Sequence, residues 1–270
     1  MSVGSTTPAG SAVGRAAGPP RAILPGMDGA TFVSALRAEG AALAEAARLG
    51  LDADVPSCPG WSVADLVRHT GIVHAHKDDI VRNRLRENPS ERPVPPADDG
   101  SLLGWYEEGA ARLADLLEAT PPSTPVWTWF EPDQTVGFWQ RRMAHETAVH
   151  RVDAQLAHGG GDPVESRLAA DGVDELLDVI LVEGLEAPVG GAGELVHLHA
   201  TDAPGEWLLE LGPDRVGVRR GHAKGSAAAR GTASDLLLFL WGRAPAERLE
   251  TFGDAGLLAR LRQLAAQATV

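Results

Sequence analysis

The chain carries a single cysteine, Cys58, which excludes an internal disulfide framework and any cysteine-built zinc ribbon. Basic residues are also scarce: 24 Lys and Arg stand against 37 Asp and Glu, a formal net charge of −13. That field repels a polyanion and no basic stripe interrupts it, so nucleic acid is not an expected partner. Long apolar runs are missing too. The longest, Leu236 to Trp241, falls far short of the roughly 20 residues of a membrane-spanning helix. Residues 1–27 are mainly Gly, Ala, Ser, Thr and Pro without an apolar core, so they read as a disordered tail rather than a secretory signal. The expected location is therefore the cytoplasm.

What remains is an ordinary globular mixture, 44% hydrophobic and 23% charged over 270 residues. Four helices are expected in the first part of the chain. The first runs from Ala30 to Leu49 and is closed by Gly50. The second runs from Val63 to about Arg86 and opens on Ser62 with Asp65 three residues on, a variant of the capping box. The third covers Ser101 to Ala119. The fourth covers Val136 to His158 and ends at Gly159-Gly-Gly161. Four long helices with no strand between them predict a bundle over residues 28–160. The pattern then changes. After a helical stretch from Glu165 to Glu183, three short strands are expected at Leu195 to Ala200, Trp207 to Leu211 and Arg215 to Arg219. Helices at Ser234 to Gly242 and Ala255 to Gln267 complete an α+β domain over residues 161–270.

The fourth helix contains Arg141-Arg-Met-Ala-His-Glu-Thr-Ala-Val-His150-Arg-Val-Asp153. Glu146 and His150 are four apart, so a carboxylate and an imidazole share one helical face and can converge on a metal ion. Glu146 also lies between Met143 and Val149, where a lone buried carboxylate would be costly. The second helix offers His69, His74 and His76 as a third ligand. His69 is in phase with Leu66 and Val73, both assigned inward. His76 comes within about 20° of His69 by angle but roughly 10 Å further along the axis. Two His and one Glu would leave a fourth position open, the composition of a catalytic zinc site. The same spacing also fits a solvated or hydrogen-bonded Glu/His pair with no metal.

Three blocks carry a family resemblance. Pro56-Ser-Cys-Pro-Gly-Trp-Ser-Val-Ala-Asp-Leu-Val-Arg-His69 resembles the opening motif of the mycothiol-dependent maleylpyruvate isomerase family. Trp127-Thr-Trp129 followed by Phe138 to Ala154 is similar to its second motif, and Gly231 to Arg243 to the signature of its C-terminal domain. The resemblance implies a DinB-like four-helix bundle followed by a small α+β domain. It implies a divalent metal, usually zinc, on His69, Glu146 and His150, with the thiol of mycothiol at the open position. The partners it implies are that low-molecular-weight thiol and a small electrophilic substrate. Coordination to zinc lowers a thiol's pKa and yields a thiolate at neutral pH. In the isomerase this thiolate adds to the cis double bond of maleylpyruvate, permits rotation, and leaves as fumarylpyruvate forms. Other members resemble S-transferases. A non-catalytic bundle acting as a sensor or interaction protein, and a hydrolase with water at the open position, are the alternatives. His/His/Glu donors also accept nickel or iron.

Around that core the roles divide. Arg142 precedes Glu146 by four and is a candidate to bind an anionic substrate; it could equally hold Asp153 or the domain interface. Arg243 resembles a C-terminal arginine of the family that reaches the active site; as a plain structural element it would cap a helix C-terminus. Trp127 is a candidate pocket wall or simple packing. Asp153 is read as a surface salt-bridge residue, with support of a ligand imidazole as the alternative. Cys58 is read as a fold residue, His145 as facing another helix or solvent, and His197 and His199 as exposed strand histidines.

Overall fold

The computed structural model describes residues 27–185 and 188–269. The tail expected over residues 1–27 therefore lies outside the described residues except for Met27, which is buried against the core. Four helices follow: α1 (Gly29–Ala47), α2 (Val63–Arg82), α3 (Asp99–Ala119) and α4 (Val136–Leu156). Helix α1 packs on α4 and α3, while α2 packs on α3 and α4. The first three start on side-chain caps, Asp28, Ser62 and Asp98. Ser62 and Asp65 form the reciprocal capping box, the Asp65 N–H donating to Ser62 Oγ at 3.2 Å and the Ser62 N–H to Asp65 Oδ2 at 3.0 Å. Helix α2 stops four residues before the expected Arg86. Arg84 adopts a left-handed φ of 49°, and Leu85 N–H donates back to the Ile80 carbonyl at 3.0 Å, closing the helix.

Helix α4 differs from the other three. Fifteen of its 21 residues are buried, so it has no solvated face and its side chains meet neighbours on every side. Helix α5 (Ser166–Glu175) continues through a π-helical stretch, Leu176–Leu181, into a last turn at Val182–Gly184.

The expected strands are present as β1 (Glu194–Ala200), β2 (Glu206–Leu211) and β3 (Val216–Arg220), but the sheet has five strands, not three. Strand β4 (Ala227–Gly231) begins with three alanines, which carry no strand signal of their own. It is a strand because it pairs in parallel with β1, in the register Leu198 to Ala229. Strand β5 (Glu250–Gly253) then pairs antiparallel with β4. The spatial order is β3-β2-β1-β4-β5. Helices α6 (Ala233–Leu240) and α7 (Ala255–Ala268) complete the fold.

One hydrophobic core runs through both parts of the chain. Leu36, Trp139 and Val152 of the bundle belong to the same contiguous cluster as Val173, Leu198, Leu237 and Leu261. A smaller cluster around Leu43, Leu66, Leu102 and Tyr106 fills the rest of the bundle.

Candidate metal centre

Helix α4 presents Glu146 and His150 one turn apart, and α2 brings His69 against them. Glu146 Oε1 lies 3.5 Å from His69 Nε2 and 3.4 Å from His150 Nε2. The two imidazoles meet edge to face at 5.2 Å. One donor atom from each residue lies within 4.8 Å of the others, a spacing that rotamer adjustment can close on one ion. His150 is 12% exposed and His69 38%, so the cluster is walled on the α4 side and open on the α2 side. There Trp61, from the loop before α2, lies 5.0 Å from the His69 ring.

Of the three α2 candidates, the structure brings together with Glu146 and His150 the one that is least buried. His74 is fully buried and hydrogen-bonds Thr147 Oγ1 at 2.9 Å, stacked on Tyr106. His76 is turned toward Lys77, Arg92 and Trp127.

Behind the cluster lies a layer of fixed charge. The Asp153 carboxylate is wholly buried, not on the surface as expected. It accepts from His150 Nδ1 at 2.9 Å, from Arg243 Nε and Nη2 at 2.8 and 2.9 Å, and from Ser57 Oγ. Its position has a helical reason: it is seven residues beyond Glu146, two turns on, and so on the same face. The bond to Nδ1 turns the Nε2 of His150 toward Glu146. Glu146 is held in the same manner, its Oε2 taking Arg142 Nη2 at 2.6 Å while Oε1 faces the imidazoles. The other arm of Arg142 pairs with the buried Glu175 of α5. Both arginines flank the Trp241 ring, Arg142 at 5.9 Å and Arg243 at 5.7 Å from its centroid.

These contacts set the charges. Burial alone would depress the His150 imidazole, but Asp153 and Glu146 outweigh it and raise the pKa from 6.5 to about 9. Burial would raise Glu146, yet Arg142, His150 and His69 hold it well below the usual carboxylate range. Asp153 is likewise held low against burial by His150 and Arg243. The donor set is therefore one anionic carboxylate and two imidazoles, which suits a borderline divalent cation.

Arg243 reaches Asp153 because of how α6 ends. Gly242 takes the left-handed φ of 75°, its N–H bonds the Phe239 carbonyl, and Arg243 N–H bonds the Leu238 carbonyl at 2.7 Å. That Schellman turn directs the arginine back onto α4, where it also donates to the Trp241 carbonyl. The Trp127 ring packs 6.2 Å from Trp139 and 6.4 Å from His76, and its carbonyl accepts from Trp139 Nε1 at 2.8 Å. His145 faces α5 and bonds Asp171 at 2.8 Å. Cys58 Sγ lies 3.8 Å from Asp153 Oδ2, and burial with that carboxylate pushes the thiol's pKa up, away from a reactive thiolate.

Sequence reasoning passed over Lys77. It lies eleven residues beyond the inward Leu66, on the same stripe of α2, and that phase was the available signal. Its ammonium sits 4.7 Å from the Trp139 ring centre, and burial, eased by Glu146, lowers its pKa to about 8. Among the described residues it makes no ion pair.

Residues 32–155 match the family model of the mycothiol maleylpyruvate isomerase N-terminal domain, and residues 167–260 that of the same family's C-terminal domain. Among solved structures, the mycothiol-dependent maleylpyruvate isomerase is similar with a TM-score of 0.57 at 13% identity, covering 83% of this chain and 93% of that one. A single-residue variant of that isomerase is similar with a TM-score of 0.59 at 12% identity over the same shares. At such identities the likeness is one of fold. No curated protein matches the sequence.

Proposed function

The chain belongs to the mycothiol-dependent maleylpyruvate isomerase family, and from that premise we propose that it is a metal-dependent enzyme applying mycothiol to a small electrophilic substrate. The observation that carries the metal is the convergence of His69, Glu146 and His150, open on one side and backed by Asp153. Those three residues would hold a divalent ion, zinc before nickel or iron. Bound there with an open position, it would lower the pKa of an incoming thiol enough to supply a thiolate at neutral pH.

The protein's own residues prepare that chemistry. Asp153 fixes the His150 ring so that Nε2 faces Glu146 and would be free to hold the ion, and Arg243 fixes Asp153. Arg142 holds one Glu146 oxygen so that the other is presented. Both arginines are thereby engaged by carboxylates at the back of the site, as positioning residues. An anionic substrate would instead meet Lys77, a half-buried cation within the field of Glu146. His69 and Trp61 stand on the open side, where thiol and substrate enter. S-transfer and cis–trans isomerisation are two uses of the same thiolate; turnover of maleylpyruvate, if observed, assigns the second.

The test begins with the metal content of the purified protein. A cobalt-substituted sample is then titrated with mycothiol, and a sulfur-to-cobalt charge-transfer band is expected to appear. A loaded metal that gives no such band at saturating thiol overturns the thiol-dependent reading and favours a hydrolase or a sensor.

A further inference from the structure

A second group of imidazoles lies on the outer face of the sheet, on residues read from the sequence as exposed strand histidines. Strand β1 turns Val196, Leu198 and Ala200 into the core, so His197 and His199 stand on the opposite face. Yet His197 is buried there, with only 9% of its side chain exposed. The cause is topological. Strand β3 is antiparallel to β2, and β2 to β1, so β3 and β4 run the same way with two strands between them. The connection over residues 221–226 must therefore return from one end of the sheet to the other. Its ends are fastened by Gly221 N–H to the Glu206 carbonyl at 3.1 Å and Ser226 N–H to the Leu195 carbonyl at 2.7 Å. It presses closely enough that a Cβ on Gly225 would lie 2.7 Å from the Leu195 carbonyl oxygen.

This crossover carries His222 onto the two strand histidines, its ring 4.9 Å from that of His197. Cross-strand register sets Glu206 opposite His199. The Glu206 carboxylate lies 2.5 Å from His199 Nδ1, 3.5 Å from His222 Nδ1 and 4.0 Å from His197 Nε2. One donor atom from each of the four residues falls within 4.8 Å of the others. Buried side-chain polar atoms are nearly always hydrogen-bonded, but His197 Nε2 has no hydrogen-bond partner among the described residues.

We propose that His197, His199, Glu206 and His222 form a second metal site, for one divalent transition ion of the zinc class. Three imidazoles and one carboxylate fill a tetrahedral shell with no position left open, which makes the site structural rather than catalytic. Donors around such an ion stand roughly 3.4 Å apart, given Zn–N distances of about 2.0–2.1 Å. The contraction needed falls mainly on His222, which is 74% exposed and can turn its ring. The ion would pin the 221–226 crossover to β1 and β2.

The test is zinc stoichiometry and affinity of tag-free, chelator-stripped full-length protein, measured by titration calorimetry and elemental analysis. His222→Ala removes an exposed side chain and leaves the fold in place, which circular dichroism checks. It is expected to lower the zinc bound by one equivalent and to abolish the part of the zinc-induced rise in melting temperature that survives in His150→Ala. His199→Ala should lose the same equivalent. If the first site takes no metal, the parent protein binds one equivalent and His222→Ala none, so the two sites fail separately. Equal zinc content in the parent and both variants would overturn the second site.

Discussion

Glu146 and Asp153 share one face of α4 and sit in opposite layers of the site, one toward the open side and one behind His150. Asp153→Asn or Arg243→Met leaves every candidate ligand in place but frees the His150 ring. Zinc affinity is expected to fall by about 10–100-fold in each, measured by competition with a chromophoric chelator. Arg142→Met acts differently, because it leaves the buried Glu175 without its paired cation and takes from Glu146 the arginine that holds its second oxygen. It should cost the metal-free protein about 3–5 kcal/mol of stability in denaturant titration. The raised pKa of His150 has a definite sign. The metal-free chain favours the imidazolium, so this contribution to stability is full below pH 6.5 and is lost as pH rises through about 9. A metal must displace that proton. Zinc affinity should therefore climb with pH up to about 9 and binding near neutrality should release a proton, as calorimetry in buffers of different ionisation enthalpy would show. Affinity flat across that range would argue against His150 as a ligand. The Glu146/His150 pair was legible as an i, i+4 spacing, and Asp153 fell on the same face by the same geometry. What spacing alone could not tell was that Arg243, ninety residues on, reaches back to bury Asp153.

At the scale of the element, legibility followed local physics. The capping box of α2 and the glycines after α4 were readable because each acts within a few residues. Strand β4 was not, because its alanines are held by a distant parallel partner rather than by their own preference. His69 was favoured by phase with Leu66 and Val73, and the structure joins it to Glu146 even though His74 and His76 are the deeper residues of α2. The end of α6 offers a test that touches no ligand. Gly242→Ala forces a left-handed φ on a residue with a Cβ, at a cost of about 1–2 kcal/mol, and moves the turn that aims Arg243. A lower melting temperature together with weaker zinc binding is expected. Unchanged zinc affinity in a destabilised protein would separate the turn from the site.

Across the whole molecule, the division at the triple glycine marks a change of secondary structure but not a break in the core, which continues from Leu36 of α1 to Leu261 of α7. Ion pairs cross the same boundary at Arg142–Glu175 and Arg243–Asp153. The two parts should consequently unfold together. A single calorimetric transition with equal van't Hoff and calorimetric enthalpies is expected, and two resolved transitions would contradict it. The same enclosure would govern how an ion at the proposed centre comes and goes. Helix α4 is covered on every side, so its amides should be among the last to exchange with deuterium, opening only when the entire chain does. Two of the three candidate ligands thus ride on the slowest-opening stretch of backbone. At the proposed centre, His69, half-exposed beside Trp61, would then be the hinge on which an ion is traded with the surroundings, a rotamer change that costs no unfolding.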